Sequence, residues 1–133
     1  MAEMSATLTT WAPRVRSILR IMTGLLLLQH GTMKYFNFPP SEMSGDGLDN
    51  LMRVAGGIEL IGGILIIIGL FTRPAAFICS GFMAAAYFMG HAQQSFYPII
   101  NQGELAVLYC FVFLYFVFAG AGSWSVDAAR GKA

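Results

Sequence analysis

Residues 53–74 read "RVAGGIELIGGILIIIGLFTRP". A single carboxylate, Glu59, stands in a run of glycine and large aliphatics. About 20 mostly apolar residues are what a membrane-crossing helix needs. The glycines fall at helical spacing: Gly56 and Gly63 lie two turns apart on one face, and Gly62 and Gly69 repeat that step on the next stripe. Helices in lipid gain nothing from the hydrophobic effect between them, so close packing through small residues takes its place. The stretch therefore predicts a central, tightly packed helix over 51–71. Its expected partner surface is "SGFMAAAYFMG" (80–90), through Gly81, Ala84, Ala85 and Ala86.

The rest of the chain fits that reading. It has 133 residues, 56% hydrophobic and only 11% charged, where a soluble domain carries about a quarter charged residues. Three further apolar segments lie near 16–35, 74–90 and 103–121. The last is rich in Phe, Tyr and Val, which favour strands, but it is about twice the length of a membrane strand. The expected fold is all-α: a polytopic four-transmembrane-helix bundle formed by a single domain over 1–133. Breaks are marked by "NFPPSEMSGDGLDN" (37–50), by Thr72-Arg73-Pro74 and by "QQSFYPIINQ" (93–102). The first segment has arginines before an apolar stretch, as signal peptides do, but no small-x-small cleavage site follows, so it is expected to be retained.

Other classes are excluded by what the chain lacks. With a net charge of +1 it presents no basic field for nucleic acid. It has no phosphate-binding Gly-rich loop, no HExxH, no nucleophile elbow and no metal, haem or flavin signature. Cys79 and Cys110 form no C-x-x-C. The depths of the two cysteines differ by about 8 Å at a rise of about 1.5 Å per residue, which argues against a disulfide and for plain core positions.

Orientation follows from the basic residues. With four spans, one side carries Arg14, Arg16, Arg20, Arg73, Arg130 and Lys132, and the other only Lys34 and Arg53. Positive residues favour the cytoplasmic side, so both termini are expected there, in a bacterial inner membrane. The remaining polar residues then gather in the outer half: Gln29, His30, Lys34, Arg53, Glu59, His91, Asn101 and Glu104. Glu59 comes out about 12 Å deep, where an unpaired charge costs on the order of 2.5–3.5 kcal/mol. It must find a donor, and His30, Lys34 and Arg53 are the candidates. Two readings compete. Glu59 is a satisfied member of a network that pins helices, or it lines a small polar pocket open to the periplasmic side. In the second reading His30 and Glu59 are the candidate proton-handling residues, and Lys34, Arg53, His91, Asn101 and Glu104 complete the ligand-binding set. The inner half is expected to be nearly all apolar until Arg73 and Asp127 at its edge. The aromatics of the fourth segment, Tyr109 to Phe118, read as core and lipid contact rather than as a quinone box.

Four pieces resemble the DoxX family: "HGTMK" (30–34), "ELIGGILIIIGLFTRPAA" (59–76), "NQGE" (101–104) and "GAGSWSVD" (120–127). No piece is specific alone, but their order and spacing from Arg20 to Asp127 are. The resemblance implies a small four-helix inner-membrane protein, with His30, Lys34, Glu59, Arg73, Glu104 and Asp127 at the family's polar positions. It also implies a link to redox systems. A DoxD-type relative belongs to a thiosulfate:quinone oxidoreductase, and another is an integral partner in a complex handling thiol and superoxide stress. The first outer loop is short here, where many members insert an amphipathic stretch. The expected function is therefore an accessory subunit of a quinone- or thiol-linked membrane system, with a soluble or membrane redox partner and quinone as the candidate cofactor. The alternatives are a scaffold that docks a soluble partner, or a small-molecule carrier. Without an internal repeat, a carrier would need a homo-oligomer for alternating access.

Overall fold

The computed structural model describes residues 1–42 and 49–133, and among them the secondary structure is helical throughout. Six helices follow in order: α1 (Ala2–Phe36), α2 (Asn50–Ile68), α3 (Thr72–Gly90), α4 (Pro98–Asn101), α5 (Glu104–Ala119) and α6 (Val126–Ala129). Part of the turn-rich 37–50 stretch, residues 43–48, lies outside the described residues.

The first helix starts far earlier than the expected residue 16. Residues 2–12 continue the helix, and Pro13 sits inside it. The Ser17 hydroxyl lies 3.2 Å from the Pro13 carbonyl one turn back. At the other termini of the four long helices the breaks fall within three residues of expectation, while the short helices α4 and α6 have no counterpart among the expected segments; each break has a local reason. Asp49 caps α2 by accepting from the Met52 amide at 2.8 Å. Gly69, at φ 70°, ends α2 in the left-handed conformation that glycine adopts without a Cβ penalty. Pro98 opens α4 at a position where the missing amide costs nothing. Ser125 caps α6 through the Ala128 amide at 3.0 Å.

Packing pairs α1 with α2 and α3 with α5, and α2 with α3 joins the two pairs. All four long helices feed one core: Leu27, Ile66, Ala75, Ala76, Cys79, Met83, Tyr109, Phe113 and Phe116. The glycines of α2 do make it a close-packed helix, but their partner is mainly α1 rather than α3. A β-carbon on Gly63 would stand 3.0 Å from the Leu28 α-carbon, and Gly56 packs on the Tyr35 ring. On the facing helix, a β-carbon on Gly31 would stand 2.8 Å from the Leu60 backbone nitrogen and 3.0 Å from the Gly56 carbonyl oxygen. Only Gly62 meets α3, at the Cys79 sulfur, and Gly81 meets nothing. The reason is that small residues occur on both α1 and α2 at matching heights. Gly31→Ala should thus force backbone apart rather than displace a side chain. We expect it to cost about 1–3 kcal/mol, read as a lower thermal midpoint in detergent, whereas Gly81→Ala should leave the midpoint unchanged.

By length and composition, one described helix, α2, is apolar enough to cross a membrane, and α5 is apolar but shorter. Arginines, histidine and lysine interrupt α1, and Arg73 and Pro74 stand in the first turn of α3.

Candidate functional site

Glu59 is buried on α2, in the same stripe as Gly56, Gly63 and Ile66. Of its three candidate donors, the structure selects Lys34. The Lys34 Nζ lies 2.7 Å from both Glu59 Oε1 and Oε2. The two side chains are 7% and 6% exposed, and this is the one ion pair among the described residues. Lys34 therefore does not snorkel to the surface; the close α1–α2 approach through Gly31 and Gly56 leaves its stem inside. His30, one turn earlier on α1, is half-buried and lies within electrostatic reach of Lys34. On α5, the buried Tyr109 phenol lies within electrostatic reach of Glu59.

The other expected members stand elsewhere. Arg53 and Glu104 are exposed. The Arg53 carbonyl accepts from the Tyr35 hydroxyl at 2.5 Å, and Glu104 occupies the first turn of α5, where a carboxylate suits the helix dipole. His91 and Asn101 belong to a second cluster that organises the connection from α3 to α5. The buried Asn101 amide nitrogen donates to the Tyr87 hydroxyl at 3.1 Å and to the Ser95 carbonyl at 2.6 Å, and its side-chain oxygen accepts from the Gly103 amide at 2.8 Å. His91 Nδ1 lies 3.0 Å from the Asn101 carbonyl. The Tyr87 hydroxyl donates to the Phe96 carbonyl. A cavity of about 330 Å³ lies between α2 and α3, lined by Val54, Gly57, Ile58, Ile61, Gly62, Leu65, Ala75, Ile78 and Cys79. Its lining is apolar and holds none of the expected site residues. Cys79 and Cys110 are free thiols, and the Ser80 hydroxyl bonds the Cys110 carbonyl at 2.8 Å.

A second polar centre, not expected from the sequence, surrounds Arg20 at the opposite end of the bundle-facing part of α1 from Lys34. Arg20 is 0% exposed, not a surface cation near the membrane edge. Its Nε donates to the Ile66 carbonyl at 2.8 Å, and its Nη2 to the Ile67 carbonyl at 3.3 Å and the Trp124 carbonyl at 2.6 Å. Its Nη1 donates to the Ala121 carbonyl. One guanidinium thus joins the C-terminal carbonyls of α2 to the loop after α5. Around it, Asp127 accepts from the Phe71 amide at 3.0 Å and the Thr72 amide at 2.9 Å, capping α3. Arg73 donates to the Val117 and Phe118 carbonyls at 3.1 and 2.7 Å, and Arg16 to the Ala119 carbonyl at 2.8 Å, closing α5. Ser17 accepts from the Trp124 amide at 3.0 Å. The signal for Arg20 was present: Ser17, Arg20, Gly24, Leu27, Gly31 and Lys34 recur every three or four residues and form the buried face of α1.

The DoxX family model matches residues 15–92, which takes in the Arg20 centre's α1 and α2 members and the whole Lys34–Glu59 pair. This chain belongs to the DoxX family. An uncharacterized protein of Haemophilus influenzae is 48% identical to it over 125 residues, covering 90% of this chain and 93% of that protein. No solved structure matches. The DoxX match ends just after α3, so Asn101 and Asp127, which the sequence resemblance had included, fall beyond it. DoxX kinship places the chain in a family of membrane proteins.

Proposed function

We propose that this DoxX protein is a four-span protein of the bacterial inner membrane, with both termini in the cytoplasm. In this reading it serves a quinone- or thiol-linked redox system as an accessory subunit, and the Lys34–Glu59 pair is its polar centre. The observation that carries the membrane part is an inverted distribution of side chains. Ser17, Arg20, Thr23, Lys34, Glu59, Ser80 and Asn101 are buried. Large apolar residues are exposed on every long helix: Leu25 and Leu26 on α1, Ile61 and Ile64 on α2, Phe77 and Phe88 on α3, Leu108 and Phe111 on α5. Only 28% of the apolar window of α2 is buried inside the molecule. Water does not sustain that arrangement over four helices, whereas lipid favours it. Trp11 against Trp124, 6.5 Å apart at the inner end, suits an interfacial aromatic belt. His30, Lys34 and Glu59 supply charge and hydrogen bonds in the outer half, and electrons in this reading come from a partner or a quinone.

A second reading, a scaffold that docks a soluble partner, is favoured by one observation: both Glu59 oxygens are already held by Lys34. Two measurements decide. Single cysteines placed at Gln102 and Ala133, with Cys79 and Cys110 replaced, are treated with a membrane-impermeant maleimide in intact cells. Four spans with cytoplasmic termini require labelling of position 102 from outside and of position 133 only after permeabilisation; the reverse pattern overturns the orientation, and labelling of both positions from one side overturns the four-span topology. Gentle extraction followed by mass spectrometry should then return a redox protein or a quinone. Recovery of bilayer lipid alone refutes the redox role, and a soluble partner without redox chemistry establishes the scaffold.

A further inference from the structure

The outward side of α1 carries its own pattern. Met4, Leu8, Trp11, Val15, Ile18 and Met22 are all exposed, and they follow one another at alternating steps of four and three residues. That alternation is the 3.5-residue repeat of a coiled-coil seam, not the 3.6-residue period of a lone helix. The stripe runs opposite Ser17, Arg20, Gly24 and Leu27, which face the bundle. Trp11 touches its own chain, edge-on to Trp124 and beneath the Arg14 guanidinium, and is still 45% exposed.

Lipid does not account for the whole stripe. The 35 residues of α1 make a helix about 52 Å long at about 1.5 Å per residue, against a hydrocarbon core of about 30 Å. Residues 2–12 are exposed on every side, so about 16 Å of helix stands clear of the bundle. Helices in proteins draw most of their stability from packing an apolar face, yet Met4 and Leu8 are 68% and 64% exposed. A helix lying on the membrane surface would cover them, but such helices carry Lys and Arg on the polar face. Residues 2–12 hold no basic side chain and one acid, Glu3, the wrong sign for an anionic leaflet.

We propose that a second copy of this chain covers the stripe, with the two α1 helices paired in parallel as a left-handed coiled coil that starts in the cytoplasm and continues into the membrane. Two copies inserted in one orientation can pair only in parallel, and a two-fold axis then sets each seam residue against its own counterpart. The seam itself is uncharged. Arg14 flanks it, and in parallel register it faces Leu19 of the second copy instead of another arginine. With Leu19 and Leu25 beside them, the seam side chains offer on the order of 800 Å² per chain, which is what a stable interface takes from each partner. The Lys34–Glu59 pair lies on the other side of α1, so pairing leaves it untouched. The dimer goes beyond the proposed function and takes from it only the orientation in the membrane.

Single cysteines along α1, in a chain with Cys79 and Cys110 replaced, test the register when native membranes are oxidised with copper phenanthroline. Leu8→Cys and Ile18→Cys should each give a disulfide-linked dimer. Ala6→Cys and Thr10→Cys, turned away from the seam, should give at least about tenfold less. Symmetric links at two positions about 15 Å apart arise only in a parallel pair. Leu8→Glu changes a side chain outside the bundle, so the protein should still accumulate. It should cut the Ile18→Cys link by about tenfold or more, because like charges then face each other across the seam. The coiled coil is dismissed if positions 6 and 10 link as readily as 8 and 18, if either 8 or 18 fails to link, or if Leu8→Glu leaves the link unchanged. Should Leu8→Glu not accumulate, the four-position comparison still decides. The pattern of links depends neither on which side the termini lie nor on a redox partner, so the dimer and the proposed function fail separately.

Discussion

Arg20→Ala should abolish accumulation of the protein in the membrane or, where some folds, lower its stability by at least about 3 kcal/mol, since hydrogen bonds from a charged donor are each worth about 1.5–3 kcal/mol and are not strictly additive. The guanidinium serves four carbonyls, those of Ile66, Ile67, Ala121 and Trp124. Without it the last carbonyls of α2 lose their donor, in a place that is closed to water. The loop carrying Ala121 and Trp124 also loses its attachment to α1, and Gly69 and Ser125, which pack against each other beside Arg20, lose their filler. Arg20→Lys should rescue only in part. An ammonium is a compact point charge, whereas the guanidinium is a planar fork that can reach carbonyls lying in different directions. Detergent thermal unfolding and fluorescence-detected size exclusion read both variants. If Arg20→Ala accumulates with an unchanged midpoint, the inner centre does not hold the bundle together.

Charge and a position near one end of an apolar run put Arg20 with the basic residues of the chain's termini, and its complete burial overrides that reading. Its register was the better guide. On α1 the positions 17, 20, 24, 27, 31 and 34 are all buried, and they hold two charges, a serine, two glycines and one leucine. The large aliphatics Leu25 and Leu26 lie on the opposite, exposed face. In a soluble helix the apolar stripe marks the core; here the small and polar stripe does. The all-helical content, the helix breaks near 72, 90 and 103, and the need of Glu59 for a buried partner were legible because turn chemistry and a lone carboxylate in an aliphatic run are local signals. The extension of α1 back to Ala2 was not, since residues 2–15 precede the apolar run that sets the expected start.

The expected site was legible only in part for a similar reason. Depth along each helix brought Lys34, Arg53, Glu59, His91, Asn101 and Glu104 to one end of the bundle. Rotation about each helix then separated them. Arg53 and Glu104 turn outward, and Asn101 and His91 are consumed by the α3–α5 connection. Asp127 and Arg73, expected only at the inner edge, proved to be caps on α3 and α5. A hydrogen-bonding partner on the backbone leaves no mark in a sequence, which is why capping arginines look like surface charge.

The Lys34–Glu59 pair yields the other large effect, and it separates stability from function. Glu59→Leu alone leaves an ammonium buried without its carboxylate, and breaking a buried pair in this way costs about 3–5 kcal/mol. Lys34→Met alone leaves the carboxylate unpaired and should be costly for the same reason. The double variant Lys34→Met/Glu59→Leu removes both desolvated charges. Replacing a buried pair by apolar residues of similar volume is often neutral or stabilising, by about 1–4 kcal/mol, and lipid on the outside of the helices does not change that comparison. The double variant should therefore accumulate near the wild-type level, with a midpoint at or above that of the parent, while each single variant fails. Its behaviour in the co-purification experiment then divides the two functional readings. If the pair only pins α1 to α2, the double variant keeps its partner, since the helices are still joined by Gly31, Gly56 and Gly63. If the pair is the polar centre of a working site, the double variant folds and loses the redox partner or quinone. A double variant that is as unstable as Glu59→Leu would overturn the expected stability and leave the pair as a pin between α1 and α2, because it would mean that the charges themselves hold the helices in place.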